Sequence, residues 1–591
     1  MFCLQMSTAK MTPVVVAIDF GTTYSGYAFS FRSDFLNDRE RHIGEINTYN
    51  WNSGNLLSEK TPTALLLDKD QKFVSFGFDA ENMYGKMTEE ERKDNYYFHR
   101  FKMMLYDKDG KLKLTRRTIL KDMKNKEMLA IDIFTHSIRY LKDHFEKNLE
   151  KRDLKKHFMS HDESISIMWV LTVPAIWDEP AKQFMQEAAE KAGIPRASLL
   201  LCLEPEAAAI YCKWLHIEKG NNECLDAMKP GRRFIVLDAG GGTIDMAIQE
   251  VREDGKLQEI GRVQGGDWGG IYVDGEFKQL LEEIVSKPIF EGFRAKYTGD
   301  YIDLFRFFER KKREKQTSLC KSVRMQVPQS FLNIADDDIS KLTKSRGLEK
   351  IVEWKRDKVH ITIDKYFTFF SEVIDKIVVK VEEMLVSETA MGTNIILMVG
   401  GFSECHFLQE RIKHSFPNCS VVVPPDCGLA VLKGAVMFGH DPEMIAARVV
   451  KYTYGVATNT KFIEGTHPES KKTVMNGKEY CKDKFDIHVE SGKLVHYKEW
   501  TEETYNPIYE DQTSVKFRVF TCDHTYPQYI DDEGCKEIGS LTVPMPNTSG
   551  GTGRRVKARI QFGGTKITVE GIDETSKKSV DVRFDFLEGS S

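Results

Sequence analysis

The chain has no apolar run near the roughly 20 residues that a membrane-crossing helix needs. Its longest, such as Val14–Ile18 and Ile395–Val399, are of strand length, so no membrane span is expected. Met1 to Met11 are polar and carry no apolar core of secretory length. The eleven cysteines are scattered, their number is odd, and no Cys-x-x-Cys occurs. That argues against a disulfide framework or a zinc site and fits reduced thiols in a cytoplasmic protein. An excess of positive charge is missing too. Lys and Arg number 84 against 89 Asp and Glu, a net charge of −5, so nucleic acid is not an expected partner. No Walker loop, Gly-x-x-x-x-Gly-Lys-Ser/Thr, stands where a nucleotide would sit, and no dinucleotide loop, Gly-x-Gly-x-x-Gly, does either.

What is present is an ordinary globular composition, 41% apolar and 29% charged, over 591 residues. At roughly 100–200 residues per domain that length holds about three to six structural units. Residues 14 to about 440 alternate short apolar runs with helical patterns. Val14–Ile18, Ile165–Val173, Phe234–Leu237, Ile395–Val399 and Ser420–Val423 are bounded by Gly, Pro or Asp, as buried strands are. Ile131, Phe134, Ile138, Leu141 and Phe145 are spaced three, four, three, four and draw one stripe along a helix. The alternation predicts an α/β architecture. After Gly439 the pattern turns to alternating segments, Ser514–Thr521, Arg555–Phe562 and Lys566–Val569, separated by Gly- and Asn-rich turns. This predicts an antiparallel sheet domain, with the joint around Asp441–Val450.

Two loops repeat one design. Asp19-Phe20-Gly21-Thr22-Thr23 and Asp238-Ala239-Gly240-Gly241-Gly242-Thr243 each follow a buried strand and precede another. Each copy alone reads equally as a hairpin turn; the matched pair suggests two half-domains of similar design. Glycine lets the backbone approach a ligand, successive N–H groups form an anion nest, and threonine hydroxyls donate to phosphate oxygens. An aspartate beside a phosphate repels it unless a cation intervenes, so the pair implies Mg²⁺ held partly through water. Facing loops could clamp a triphosphate from both sides.

These residues resemble a known family. Val16-Ala17-Ile18-Asp19-Phe20-Gly21-Thr22-Thr23-Tyr24-Ser25-Gly26 is similar to the first phosphate motif of the 70-kDa heat shock proteins, members of the actin/hexokinase-like ATPase superfamily. Leu171–Ala175, Glu204–Ile210, Asp238–Asp245, and Val399–Ser403 with Pro425-Asp426 and Gly434-Ala435 resemble four further family motifs in order. Phe98–Lys102, Leu203–Glu206 and the chain's end soon after the sheet domain look like the divergent subgroup called heat shock 70 kDa protein 12.

The resemblance implies a two-lobed actin-like ATPase domain of duplicated ribonuclease-H-like halves, residues 14–232 and 233–440, after a tail at 1–13. A linker at 441–452 and a smaller antiparallel β-sandwich-like domain at 453–591 without a helical lid would follow. Asp19 and Asp238 would hold Mg²⁺, mostly through water. Gly21, Thr22, Thr23 and Tyr24 on one side, and Gly240, Gly241, Gly242 and Thr243 on the other, would bind phosphates, and Asp245 would complete the second loop's carboxylate set at the nucleotide site. Lys102 and Glu204 would orient the attacking water and the γ-phosphate, which together with Asp19 and Asp238 makes the catalytic set. Glu309, Lys312 and Arg313 would clamp adenosine, although their basic run also reads as a solvated helix face. Gly269, Gly270, Gly400, Gly401, Phe402, Ser403 and Asp426 would line the adenosine side.

The implied activity is Mg²⁺-dependent hydrolysis of ATP to ADP and phosphate, with chaperone and stress-response roles and a protein or peptide partner on the C-terminal domain. Three departures qualify it. The joint Ile445–Val450 carries Arg448 where the family has leucines, the lid and acidic tail are missing, and Glu206 adds a negative charge near the cleft where the family often has threonine. These favour an alternative reading, a nucleotide-dependent adaptor with negligible turnover. A sugar kinase of the same superfamily and a refolding chaperone are weaker alternatives.

Overall fold

The computed structural model describes residues 14–37, 46–52, 57–106, 114–151, 166–219, 228–315, 321–334, 338–562, 564, 567–582 and 586–587. The expected tail at 1–13 lies outside them. The chain divides into two compact units. One holds residues 1–247 with 263–442, and the other 248–262 with 443–591.

In the first unit the alternation of apolar runs and helices resolves into two sheets of the same design. In one, Val14–Phe20 forms an antiparallel hairpin with Tyr24–Phe31, and Ile167–Val173 and Leu199–Leu203 are added in parallel beyond Val14–Phe20. In the other, Arg233–Ala239 pairs with the start of Ile244–Val251, and Ile395–Val399 and Ser420–Val422 follow in parallel. All seven residues of Val14–Phe20 are buried. Continuous burial of this kind is what a strand inside a helix-covered parallel sheet requires.

The stripe Ile131, Phe134, Ile138, Leu141 and Phe145 is buried along the helix Ala130–Lys151, which packs on the helix Glu179–Lys191. The helix Ala430–His440 lies on Val14–Phe20, Ile167–Val173 and the helix Glu204–Lys219. Its closest approach is at Gly434, where an added Cβ would stand 1.7 Å from the Ala207 carbonyl oxygen. Glu204–Lys219 extends past Leu215, which is fully buried; residues 220–227 lie outside the description. The stretch 330–347 contains most of one short helix, Gln329–Leu332, and all of another, Ile339–Ser345. No helix among the described residues is long and apolar enough to cross a membrane.

In the second unit, five antiparallel strands form one sheet in the order Lys472–Met475, Lys478–Val489, Thr453–Lys461, Ser514–Cys522, Cys535–Pro544. Four form another, Trp500–Tyr505, Val556–Gln561, Thr568–Asp573, Lys578–Val582. Val456, Phe517, Val519, Leu541 and Val543 of the first share an apolar cluster with Val556, Ala558, Ile560 and Val569 of the second. Burying this cluster supplies the main favourable term for the pair of sheets. Among the described residues from 453 onward there is no α-helix.

The joint differs from a free tether. Ile445–Val449 is a strand, paired in parallel with Leu257–Glu259 and antiparallel with Leu494–His496. Ile445 and Ala447 are fully buried and Arg448 is 7% exposed, and the Val449 N–H donates to Glu259 Oε1 at 3.3 Å. The cation expected to spoil strand docking is accommodated within the strand.

Replacing Gly434 by alanine tests the helix contact. With backbone on both sides the helices must separate, and overpacking of this kind costs about 1–3 kcal/mol. The expected outcome is a lower denaturant midpoint; an unchanged midpoint would mean that the contact is looser than described.

Candidate functional site

A cleft of about 1270 Å³ opens within the first unit. Its walls include Asp19, Gly21, Thr22, Thr23 and Tyr24 from the first loop and Asp238, Gly240, Gly241, Gly242 and Thr243 from the second. The loops meet. A Cβ at Gly241 would lie 2.3 Å from Thr23 Oγ1, and one at Gly242 would lie 2.4 Å from Thr22 Oγ1. Only glycine permits that approach.

Each loop is backed by a device that occupies its carbonyls. The Thr63 N–H donates to Thr23 O at 2.9 Å and its hydroxyl to Gly21 O at 2.7 Å. On the other side the N–H groups of Gly269, Gly270 and Ile271 donate to the carbonyls of Gly242, Gly240 and Gly241 at 2.9–3.1 Å. With these carbonyls engaged, the repulsion they would offer an anion is reduced, which suits both loops to phosphate.

Three carboxylates line the floor, Asp19, Glu204 and Asp238, and a fourth, Asp245, is buried close behind them. Asp19, Glu204, Asp238 and Asp245 are all at most 9% exposed. Two ammonium groups answer them. Lys102 Nζ is 2.8 Å from Glu204 Oε1, and Lys60 Nζ is 2.6 Å from Asp19 Oδ2. Lys102 is 2% exposed and sits 5.2 Å from the Trp177 ring centroid, so it is no surface lysine. Lys102 lies in the single helical turn Phe101–Leu105, which follows Arg100 in a left-handed conformation (φ 53°), and the Arg100 guanidinium is held 2.8 Å from Asp274 Oδ2.

Burial favours the neutral form of a carboxylic acid and a nearby cation favours the charged form. Burial raises the Glu204 carboxyl to about 7 against the pull of Lys102, with Asp245 and Asp19 adding to the rise. Burial also pushes Asp238 well above its ordinary range, helped by Glu204, Asp245 and Asp19. Asp19 is the exception. Burial raises it, but Lys60 overcomes this, aided by Lys102 and by the Thr172 hydroxyl that donates to Asp19 Oδ1 at 2.9 Å, and the net shift is downward. The floor is therefore short of positive charge, and a divalent cation fits it. Among the described residues no group of three or more His, Cys, Asp or Glu is placed to ligate a metal directly.

The remaining candidates divide. Gly270, Gly400, Gly401, Phe402, Asp426, Glu309, Lys312 and Arg313 line the same cleft. Gly400 has φ 87°, and a Cβ there would lie 2.3 Å from Asp238 Oδ1. Asp426 accepts from Lys433 Nζ at 3.1 Å. Lys312 is not a solvated charge: its ammonium lies 2.7 Å from Asp274 Oδ1 and 2.6 Å from Glu309 Oε2. Burial raises Glu309, but Lys312 and Arg313 overcome it and hold its carboxyl at about 2. The Arg313 guanidinium sits 5.9 Å from the Tyr24 ring centroid and is paired with Glu309 and Glu404.

Asp245, Gly269, Ser403 and Glu206 are not among the residues lining the cleft. Asp245 accepts from the Ile176 N–H at 2.9 Å, Ser403 donates to Val399 O at 2.6 Å, and Glu206 is fully buried. Glu206, expected near the cleft, is thus buried behind its surface, two residues after the lining Glu204. Lys60, Thr63, Thr172, Asp274 and Glu404 were not anticipated. The first two lie in Lys60-Thr61-Pro62-Thr63, a stretch without a phosphate-loop pattern.

The chain is similar to known proteins over most of its length. The family model described as Hsp70 protein matches residues 121–494. Human Heat shock 70 kDa protein 12A is 31% identical over 635 residues, covering 97% of this chain and 91% of the relative. Human Heat shock 70 kDa protein 12B is 31% identical over 637 residues with the same coverage. Chaperone protein dnaK of Cyanidium caldarium is 23% identical over 497 residues, 81% of this chain and 71% of the relative.

The charge deficit gives a pH-dependent prediction. Glu204 titrates higher in the folded state than its ordinary 4.5. The destabilising species is thus the charged carboxylate, whose penalty grows as pH rises from about 4.5 and is complete above about 7. Lys102→Ala removes its partner and deepens that penalty. Urea melts should show the variant losing about 1–2 kcal/mol more stability, relative to wild type, at pH 8 than at pH 6. An equal loss at both pH values would show that the pair does not govern Glu204.

Proposed function

The chain belongs to the 70-kDa heat shock protein family, and on that premise we propose that its first unit binds and hydrolyses ATP with Mg²⁺, coupling nucleotide state to a protein or peptide partner. Hsp70 family members are generally ATPases with the actin-like α/β fold. The observation that carries the reading here is the pair of glycine loops meeting above a buried Lys102–Glu204 ion pair.

In this reading residues 14–232 and 233–440 are the two lobes, and the sheets beyond 453 form a sandwich that takes the partner. Gly21 to Tyr24 and Gly240 to Thr243 cradle the β- and γ-phosphates. Asp19 and Asp238 hold the metal, mostly through water; when bound, it neutralises phosphate charge. Lys102 neutralises charge on the γ-phosphate. Glu204 orients the attacking water, and with its carboxyl near 7 it is suited to take up a proton close to neutral pH. Phosphoryl transfer needs positioning and charge neutralisation more than covalent help from the protein. The second reading, an adaptor with negligible turnover, is favoured by one observation: Lys60 is already paired with the metal-holding Asp19.

Calorimetry with ADP and Mg²⁺ and phosphate-release assays with ATP separate the readings. Gly242→Val places side chain where Thr22 Oγ1 and Met103 Sδ stand, and it should weaken ADP binding at least about tenfold. Glu204→Gln should lower single-turnover hydrolysis by about 10²–10⁴. The wild-type rate should rise with pH through about 7 as Glu204 loses its proton, and the variant should lack that rise. Tight binding without phosphate release selects the adaptor. No binding of ATP or ADP at millimolar concentration rejects both.

A further inference from the structure

The two loops repeat each other, yet their aspartates are held differently. Asp238 faces the Gly400 backbone, since an added Gly400 Cβ would stand 2.3 Å from its Oδ1. Asp19 has both oxygens taken, Oδ2 by Lys60 at 2.6 Å and Oδ1 by Thr172 at 2.9 Å. Lys60 is held at a second point, donating to the Gly428 carbonyl at 2.8 Å. That carbonyl lies in the segment of Pro425-Asp426, so the ammonium spans the cleft from the first-loop side to the adenosine side. Its side chain is 18% exposed, and its stem runs against Gly26, where an added Cβ would stand 3.1 Å from Lys60 Cγ.

A lysine with its stem packed and its head fixed by two acceptors is placed rather than incidental. An ammonium supplies a compact, strongly hydrated point charge with three donors. At Asp19 it occupies the carboxylate oxygen Oδ2, to which another cation or donor would otherwise have access.

We propose that Lys60 is a tethered cation of the nucleotide site, supplying at Asp19 part of the charge that a divalent ion would bring, so that nucleotide binds with less dependence on Mg²⁺ than the cluster of four carboxylates demands. The proposal rests on the nucleotide-binding reading above. Lys60 is a positioning residue in it: it touches Asp19 and Gly428, not the reacting atoms.

The test is ADP binding by calorimetry on the full chain, once with Mg²⁺ and once with EDTA. The wild type should bind in both, with affinities within about tenfold of each other. Lys60→Met should widen that ratio by at least about another tenfold, almost entirely through loss of binding in EDTA, and Lys60→Arg should restore part of it. A Lys60→Met protein whose ratio equals the wild type's overturns the proposal, and so does one that weakens binding equally in both buffers, because a merely structural lysine behaves that way. If Lys60→Met does not fold, the wild type with Lys60→Arg decides: a wild-type ratio far above tenfold that Lys60→Arg leaves unchanged overturns the proposal. A wild type that binds ADP in neither buffer rejects the nucleotide reading itself and the proposal with it, an outcome distinct from the others.

Discussion

The first unit depends on a charge imbalance placed where water is scarce. Asp19, Glu204, Asp238 and Asp245 are buried together, and only Lys60 and Lys102 make ion pairs with them among the described residues. Carboxylates crowded in a low-dielectric site resist ionisation unless cations offset them. Asp238 and Glu204 are accordingly pushed up, and Asp19, beside Lys60, is not. The arrangement costs stability in exchange for a strong affinity for positive charge, as functional sites commonly do.

The fold creates this imbalance by repetition. A hairpin followed by parallel strands occurs twice, and each hairpin turn carries an aspartate, glycines and threonines. The turns meet because Gly241 and Gly242 of the second have no side chain to hold off Thr23 and Thr22 of the first. Thr63 behind one turn and Gly269, Gly270 and Ile271 behind the other perform the same task with unrelated residues. The duplication thus extends to the loops but not to their supports.

This difference explains what could be read from the sequence. The paired loops, the alternation of strands and helices and the change of character past Gly439 were legible because each is a local pattern with a period or a turn signature. Lys102 and Glu204, 102 positions apart, were legible only through the ordered family motifs. Lys60 was not, because a lysine before Thr-Pro has no local signature and acquires its role from Asp19, distant in sequence. Arg448 was read as a departure because a cation takes the place of apolar surface in a docking strand, whereas here it is buried in the strand Ile445–Val449, which is paired on both sides. The inclusion of residues 248–262 in the second unit was equally hidden, since parallel pairing of Leu257–Glu259 with Ile445–Val449 joins segments that no turn connects.

The contact between Gly434 and Ala207 carries a mechanical consequence. Helix Glu204–Lys219 begins with the residue paired to Lys102, and helix Ala430–His440 begins just after the Pro425-Asp426 segment. Where backbone rests on backbone with no side chain between, there is no compliant layer to shear. A displacement of either helix along the other would drive the Ala207 carbonyl against the Gly434 backbone, so the crossing holds the two helix starts at a fixed offset.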